Sequence, residues 1–223
     1  EERPGLMGAG RGAVNISLET LEETTVRKSD RRDDFDRGLR GRRAALYYPY
    51  LKGKVSGIPT VQSDEELLQV AALARENPLH VRFIEMMPIG LGKEFAARGE
   101  EQIKSVLDTK YGSMTPTEEK LGNGPCHYYT LEKFTGRIGF ISALSHKFCD
   151  SCNRVRLTST GFLKGCLQFE DGADLKVLLR SGCSDGMLKE TIEKVIYEKP
   201  VGHNFQEHKK GNEESHIMAQ IGG

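Results

Sequence analysis

The sequence lacks several features that would assign a protein to a class at once. It has no tryptophan, its 32 basic and 32 acidic residues cancel, and only 37% of its 223 residues are hydrophobic. This charge balance gives no reason to expect a nucleic-acid groove or a polybasic membrane patch. No apolar run approaches the roughly 20 residues that span a bilayer. We therefore expect neither a nucleic-acid partner nor a membrane segment.

Signals for export and for a disulfide framework are also lacking. No charged stretch followed by an apolar one opens the chain, which begins with Glu1 rather than methionine. Five cysteines is an odd number, and without a secretory signal free thiols in a reducing cytoplasm are expected. The first residue indicates a fragment or a processed chain.

The first half of the chain alternates strand and helix patterns. Strands are predicted over 13–18, at Lys54–Val55 and over 80–87. Helices are predicted over 30–46, with Ser29 as cap and Gly38 as a weak point, over 64–75, capped by Ser63, and over 101–111. Such alternation is typical of parallel α/β units.

After about residue 112 the pattern changes. The segments 127–134 (HYYTLEKF) and 137–144 (RIGFISAL) predict antiparallel strands divided by Thr135–Gly136. The segment 156–165 (RLTSTGFLKG) predicts a hairpin that turns at Thr160–Gly161. Helices are predicted over 174–180 and 184–198, and the second has an apolar face of Met187, Leu188, Ile192, Val195 and Ile196.

Three cysteines form the most informative motif of the sequence. Cys149 and Cys152 are separated by two residues, and the predicted hairpin would bring Cys166 back beside them. Three or four converging thiolates suit zinc or an iron–sulfur cluster. The motif therefore predicts one metal site built on these three residues.

Spacing alone leaves several interpretations of this motif open. Structural zinc would need a fourth ligand, for which Cys126, His127 and His146 are candidates. A cluster held by three cysteines would leave one iron open for a substrate. A redox dithiol lacks the usual strand–motif–helix context, and unligated core cysteines are the remaining alternative.

Two arginines follow the paired cysteines. Arg154 and Arg156 alternate on an expected strand, so their side chains should point to one face. Guanidinium forks beside a thiolate site are well matched to a phosphate or a purine edge. The alternative is that they balance thiolate charge or lie in solvent.

The segment 148–167 (FCDSCNRVRLTSTGFLKGCL) resembles the C-terminal cluster motif of the GTP 3′,8-cyclase family, also called the molybdenum-cofactor biosynthesis protein A family, of the radical S-adenosylmethionine superfamily. Further matches follow one another in the same order along the chain. They are 14–21 (VNISLETL), 31–37 (RRDDFDR), 81–90 (VRFIEMMPIG), 179–188 (LRSGCSDGML) and the terminal IGG.

The resemblance implies an α/β fold with two domains. Residues 1–112 would be the remnant of an incomplete TIM-type barrel, with 1–62 degraded and poorly packed. Residues 113–223 would form a C-terminal α+β subdomain that carries a 4Fe–4S cluster and ends in a Gly-Gly tail. In the family, a second 4Fe–4S cluster cleaves S-adenosylmethionine, and the resulting radical attacks the ribose of GTP.

The resemblance also assigns roles to particular residues. Cys149, Cys152 and Cys166 would hold the C-terminal cluster. The remaining roles are GTP contacts for Arg154, Arg156, Arg82 and Lys54, with Lys52 as the alternative to Lys54, S-adenosylmethionine contacts for Ser17 and Met87, and entry of Gly222 and Gly223 into the active-site region.

One motif of the family is missing from these residues. No Cys-x3-Cys-x2-Cys occurs in the sequence, so we expect this chain by itself not to perform the reaction. The family implies GTP as substrate, allows for a homodimer, and places a cyclic pyranopterin monophosphate synthase downstream. The rival hypotheses are a non-enzymatic zinc-stabilised module and a non-functional remnant.

Overall fold

A computed structural model of the chain describes residues 13–18, 21, 52–60, 62–96, 98–119, 121–205, 216, 220 and 221. The predicted helix over 30–46, the 31–37 segment, and Gly222 and Gly223 lie outside the described residues. The described residues divide into two compact units. One unit comprises Glu1–Met86 and Ala96–Ser145, and the other comprises Met87–Phe95 and His146–Gly223.

The first unit is built on a mixed sheet of six strands. These are β1 (Ala13–Ser17), β2 (Lys52–Gly57), β3 (His80–Ile84), β4 (Thr115–Thr117), β5 (His127–Thr130) and β6 (Arg137–Ile141). Their order is β1-β2-β3-β6-β5-β4, with β1, β2, β3 and β6 parallel and β5 and β4 antiparallel to their neighbours. The predicted α/β class is confirmed, and the described strands form an open sheet ending at β1 and β4.

Two helices cover one face of this sheet. The helix α1 (Asp64–Glu76) begins at Ser63, whose Oγ accepts a hydrogen bond from Glu66 N (3.2 Å) while Ser63 N donates to Glu66 Oε2 (2.8 Å). This capping box satisfies two backbone donors at the helix start and confirms Ser63 as the predicted cap. The helix α2 (Glu100–Tyr111) ends at Gly112, where φ is 87°.

The core of the first unit lies between these helices and the sheet. Successive strand residues point to opposite faces, so Val81 and Phe83 are buried while Arg82 lies on the other face. The buried cluster comprises Leu18, Val55, Leu67, Val70, Ala71, Ala74, Leu79, Val81, Phe83, Ile103, Leu107, Leu131, Ile138 and Phe140. The opposite face of the central strands is left for polar residues.

The second unit contains a smaller antiparallel sheet and two helices. Its strands are β7 (Arg156–Leu157), β8 (Phe162–Lys164) and β9 (Gly172–Asp174), and its helices are α3 (Leu175–Arg180) and α4 (Asp185–Tyr197). The predicted hairpin is confirmed: Gly161 has φ of 87° and donates to Thr158 O (3.0 Å). Short 3-10 segments occupy Gly90–Glu94 and Cys149–Ser151.

The face of α4 that packs in the core is narrower than the apolar face that the sequence predicted. Leu188, Ile192 and Val195 pack with Leu163 and Leu175 in the core of the second unit. Met187 and Ile196 are exposed, at 52% and 44% of their surface. Three residues spaced by four and three positions are enough to cover a sheet of three short strands, so the flanking apolar residues remain outside.

Two further expectations differ in extent from the structure. The strand predicted over 80–87 ends at Ile84, and the short strand near Lys54–Val55 runs over Lys52–Gly57. None of the described helices has the length and apolar character needed to cross a membrane.

Candidate functional site

A row of five residues crosses the polar face of the larger sheet. The strand registers pair Ser17 with Ser56, Ser56 with Arg82, Arg82 with Gly139, and Gly139 with Tyr128. Cross-strand neighbours in register share one face and lie close together. The sheet therefore brings Ser17 and Arg82, two residues that the sequence singled out, into the same row.

Arg82 is fixed by acceptors from β2, the neighbouring strand, and from β1, the strand beyond it. Its Nε and Nη2 atoms donate to Ser56 Oγ at 3.0 and 2.6 Å, and Nη2 also donates to Asn15 Oδ1 at 3.3 Å. All three acceptor contacts are neutral, so the positive charge of Arg82 is not cancelled by a carboxylate within these contacts. A guanidinium held in this way retains its capacity to bind an anion.

Tyr128, on strand β5, is the last residue of the row and is paired with Gly139. A Cβ atom on Gly139 would lie 2.9 Å from Tyr128 Cε1 and 2.6 Å from Cys126 Sγ, so both side chains use the space that a side chain at position 139 would fill. The Tyr128 hydroxyl lies close enough to Cys126 and Arg82 for both to influence its pKa. Burial raises the pKa of Tyr128, and it raises the pKa of Cys126 to about 11, so both groups are neutral near pH 7.

A second row contains Lys54 and His80. Lys54 Nζ donates to the backbone oxygen of Leu121, and a Cβ on Gly122 would lie 2.7 Å from that nitrogen. His80 is paired in register with Lys54 and with Arg137, and burial lowers its pKa below 6.5. The face thus combines a neutral imidazole with the cationic side chains of Lys54 and Arg82, which favours an anionic ligand, while Arg137 is paired with Glu119 (Nε–Oε2 3.1 Å).

The two residues expected to contact S-adenosylmethionine belong to different units. Ser17 is exposed at the end of β1, in the row of Arg82. Met87 belongs to the second unit, where it is half-buried and its backbone oxygen accepts a hydrogen bond from Ile89 N (2.8 Å). Lys52, the alternative to Lys54, forms the first residue of β2.

The three cysteines of the motif all lie in the second unit. Cys149 begins a single 3-10 turn that Cys152 N closes by donating to Cys149 O at 3.1 Å. A Cβ on Gly202 would lie 3.7 Å from Cys149 Sγ, so the chain after α4 passes beside this thiol. Cys166 follows β8 and lines a cavity of about 50 Å³ together with Lys199 and Pro200.

The three thiols are the kind of ligand that an iron–sulfur cluster uses, but they are not grouped as a metal site in the described part of the chain. All five cysteines of the chain are free and half-buried, and soft thiolates are the ligands that such clusters use. Within the described part of the chain, however, no three or more His, Cys, Asp or Glu residues are grouped so that they could hold a metal ion. Of the candidate fourth ligands, Cys126 and His127 belong to the first unit and His146 to the second.

The two arginines after the paired cysteines differ in their surroundings. Strand β7 begins at Arg156, so Arg154 precedes it and is exposed, while Arg156 is half-buried. Burial lowers the pKa of Arg156, with a further lowering by the charge of Arg154, and the thiols of Cys166 and Cys152 act in the opposite direction. Arg156 is therefore close to two of the three cysteines.

Several residues of these sites were missed by the sequence reasoning. Ser56, Asn15 and Tyr128 lie near Arg82 only because the sheet brings together strands that are far apart in the sequence. Lys199 contacts the Cys152 segment from 47 residues away. Among these residues, only Lys199 had a recognisable position in the sequence, because it follows the helix predicted over 184–198 and precedes Pro200.

Comparison with known proteins identifies the family. The sequence model of the family described as Molybdenum Cofactor Synthesis C matches residues 79–205. The chain is 39% identical over 215 residues to the GTP 3′,8-cyclase of Clostridium perfringens, covering 96% of this chain and 66% of that protein. It is 37% identical over 222 residues to the GTP 3′,8-cyclase of Syntrophomonas wolfei, covering 98% of this chain and 68% of that protein.

A third relative provides the same result. The chain is 36% identical over 226 residues to the GTP 3′,8-cyclase of Gloeobacter violaceus, with 98% of this chain and 68% of that protein covered. The chain thus spans about two thirds of the length of these curated relatives. On this similarity, which extends along nearly all of its residues, the chain belongs to the GTP 3′,8-cyclase family and carries the Molybdenum Cofactor Synthesis C region.

Proposed function

We propose that this chain serves molybdenum cofactor biosynthesis as the GTP-binding portion of a GTP 3′,8-cyclase. The proposed reaction converts GTP to 3′,8-cyclo-7,8-dihydro-GTP with S-adenosylmethionine as the radical source. The observation that carries the proposal is the similarity to proteins named GTP 3′,8-cyclase, which covers 96–98% of this chain. The polar face of the first unit, with Arg82 and Lys54, supports it with groups suited to a nucleotide.

In the first unit, the proposed GTP contacts are Arg82 and Lys54. Arg82 is oriented by Ser56 and Asn15, and both neighbours are neutral. An oriented guanidinium and an ammonium on one face match the charge and the hydrogen-bond acceptors of a triphosphate. Ser17, in the row of Arg82, is proposed as a contact of S-adenosylmethionine, and Met87 of the second unit as another.

In the second unit, Cys149, Cys152 and Cys166 are proposed to hold a 4Fe–4S cluster. Such a cluster with three protein ligands would supply an iron open to the guanine base. Within the described part of the chain, the three thiols are not grouped as a metal site. Arg154 and Arg156 are proposed as further GTP contacts, and Gly222 and Gly223 as residues that enter the active-site region.

The radical-forming step is proposed to lie outside this chain. Its 223 residues contain no Cys-x3-Cys-x2-Cys, the motif that the resemblance assigns to the cluster that cleaves S-adenosylmethionine. The chain by itself is therefore proposed to bind without turnover, in the cytoplasm. A homodimer and a downstream cyclic pyranopterin monophosphate synthase complete the proposed partners.

Anaerobic reconstitution with iron and sulfide tests the metal part of this proposal. Iron and acid-labile sulfide are measured per chain in the wild type, in Cys152→Ser and in Cys183→Ser. Cys183 is a half-buried free thiol outside the motif and provides the matched control. We expect about four irons per chain in wild type and in Cys183→Ser, and loss of the cluster in Cys152→Ser. Stoichiometric zinc with no uptake of iron would instead support a zinc-stabilised module.

A titration of the reconstituted chain with GTP tests the nucleotide part. Arg154→Ala and Arg82→Ala are expected to weaken GTP binding by about tenfold or more, because a charge-assisted hydrogen bond contributes about 1.5–3 kcal/mol. Arg180→Ala, at an exposed position of α3, is the control and should bind as the wild type does. Absence of GTP binding by the wild type, or equal affinity of all variants, would contradict the assignment.

A further inference from the structure

We infer that Lys199 is a positioning residue for the cysteine site, which fastens the Cys152 segment and places a positive charge beside its sulfur. The inference rests on the proposed cluster at Cys149, Cys152 and Cys166 for its chemical meaning. The fastening itself is a property of the metal-free chain.

The contacts of Lys199 use the full donor capacity of its ammonium group. Lys199 Nζ lies 3.0 Å from Cys152 O, 2.6 Å from Arg154 O and 3.7 Å from Cys152 Sγ. An ammonium has three donors and no acceptor, so the three contacts account for all of its hydrogens. Two backbone carbonyls on either side of Asn153 are therefore held by one side chain from a distant part of the chain.

The stem of Lys199 touches the other arm of the cysteine site. A Cβ on Gly165 would lie 3.0 Å from Lys199 Cγ and 2.9 Å from the backbone oxygen of Val195, so glycine permits this close approach. Gly165 directly precedes Cys166, and Cys166 and Lys199 line the same cavity. One side chain thus packs against the Cys166 arm and hydrogen-bonds the Cys152 arm.

The neighbouring lysines of α4 show that this arrangement is specific to Lys199. Lys189 lies 3.8 Å from Glu193 and Lys194 lies 3.9 Å from Glu198, each as an exposed pair one helical turn apart. Such pairs contribute little to stability. Lys199 comes after the helix end, where the chain turns toward Pro200, and it contacts carbonyls and a thiol instead of a carboxylate.

Two consequences follow for a cluster held by these thiols. Loss of Lys199 frees the Cys152–Arg154 backbone, so the turn that presents Cys149 and Cys152 loosens. Loss of its charge removes an attraction for negative charge on the sulfur beside it, because opposite charges a few ångströms apart attract strongly near a protein surface. The reduced form of the cluster then becomes less favourable and the reduction potential falls.

The fastening is tested on the full 223-residue chain without metal. Hydrogen–deuterium exchange of peptides covering 149–157 is compared in wild type, Lys199→Met, Lys199→Arg and Lys189→Met. We expect exchange about tenfold faster in Lys199→Met only, since the two hydrogen bonds from a charged group to these carbonyls are lost. Lys189→Met makes the same substitution at an exposed helix lysine, so its exchange rate should match that of the wild type. Equal exchange in all four proteins would overturn the inference.

The effect of the charge is tested after anaerobic loading with iron and sulfide. Spectroelectrochemical titration should give a midpoint potential lower in Lys199→Met by about 59 mV, which is a tenfold change in a one-electron equilibrium, while Lys199→Arg and Lys189→Met stay near wild type. An unchanged potential in a fully loaded Lys199→Met chain would overturn this part. If wild type takes up no cluster while the exchange difference persists, the proposed function fails and the fastening role of Lys199 stands.

Discussion

The guanidinium of Arg82 binds Ser56 Oγ with two of its nitrogens, at 3.0 and 2.6 Å, across neighbouring parallel strands. The two residues are 26 positions apart and become partners because β2 and β3 pair in register. A serine hydroxyl accepts both bonds without neutralising the guanidinium, so the residue is oriented and still charged. This relationship orients the cationic group on the face that we propose to bind GTP.

Replacement of Ser56 by alanine should therefore weaken both stability and ligand binding. We expect Ser56→Ala to lower the free energy of unfolding by about 1–2 kcal/mol, since a buried hydroxyl that accepts a hydrogen bond from a charged group is lost. Urea denaturation measures the change. Ser159→Ala, in the exposed loop of the hairpin, should have no effect beyond about 0.5 kcal/mol. Equal stability of the two variants would show that the Arg82–Ser56 contact is not formed in solution.

A methyl group at Gly139 should displace Tyr128 from the row. Its Cβ would lie 2.6 Å from Cys126 Sγ and 2.9 Å from Tyr128 Cε1, distances at which side chains must move. We expect Gly139→Ala to cost about 1–3 kcal/mol by overpacking and to weaken GTP binding through Arg82.

The control for this substitution lies in α4. Gly186 is helical, and its nearest atom to a built Cβ is Ser184 Oγ at 3.8 Å. Gly186→Ala should raise the free energy of unfolding by about 0.5–1 kcal/mol, because alanine has the higher helix propensity. Thermal melting of both variants provides the comparison, and destabilisation by both would point to a general intolerance of side chains rather than to the row.

Acidification should destabilise the first unit through His80. Burial lowers the pKa of His80 below 6.5, an effect opposed by Glu119 and reinforced by Lys54, Arg137 and Arg82. Between the lowered folded pKa and 6.5, the unfolded chain binds more protons than the folded one at this residue. The free energy of unfolding should therefore fall as the pH decreases from 6.5 through this window.

Denaturant titrations between pH 7.5 and about 5 measure this dependence. His80→Gln should have a flatter stability profile over the same range. His127→Gln, at an exposed position of β5, should retain the slope of the wild type. If the wild-type slope survives in His80→Gln, the pH dependence arises elsewhere.

Glu85 should prove important for the segment that ends the first unit. Its Oε2 atom accepts hydrogen bonds from Leu144 N (2.6 Å), Ser145 N (2.9 Å) and Ser145 Oγ (3.3 Å). Glu85→Ala leaves these donors without their acceptor and should cost about 1.5–3 kcal/mol. Glu85→Gln should lower the free energy of unfolding by less than Glu85→Ala does, because the glutamine amide oxygen can still accept a hydrogen bond. Glu76→Ala, exposed at the end of α1, should be near neutral in the same denaturation assay.

The local sequence was sufficient for most individual elements. Ser63 as cap predicted the start of α1, the helix predicted over 101–111 corresponds to α2, and Thr160–Gly161 predicted the hairpin turn. These features depend on backbone geometry within a few residues of one another, which neighbouring residue types determine.

The cysteine motif also identified candidate site residues, and comparison with relatives confirmed the family that the motif suggested. It did not determine their partners. The α4 prediction included Met187 and Ile196 in the apolar face, although both are exposed, because periodicity does not reveal how wide the covered sheet is. The roles of Cys149, Cys152 and Cys166 as ligands remain a prediction.

Only the tertiary structure decided which distant residues meet. Strand β6 enters the sheet between β3 and β5, and this placement alone puts Gly139 between Arg82 and Tyr128. The end of α4 brings Lys199 to Cys152 in the same way. Strand order and helix docking arise from the sum of many weak contacts over the whole chain, so residue types fix the local elements while packing selects the neighbours.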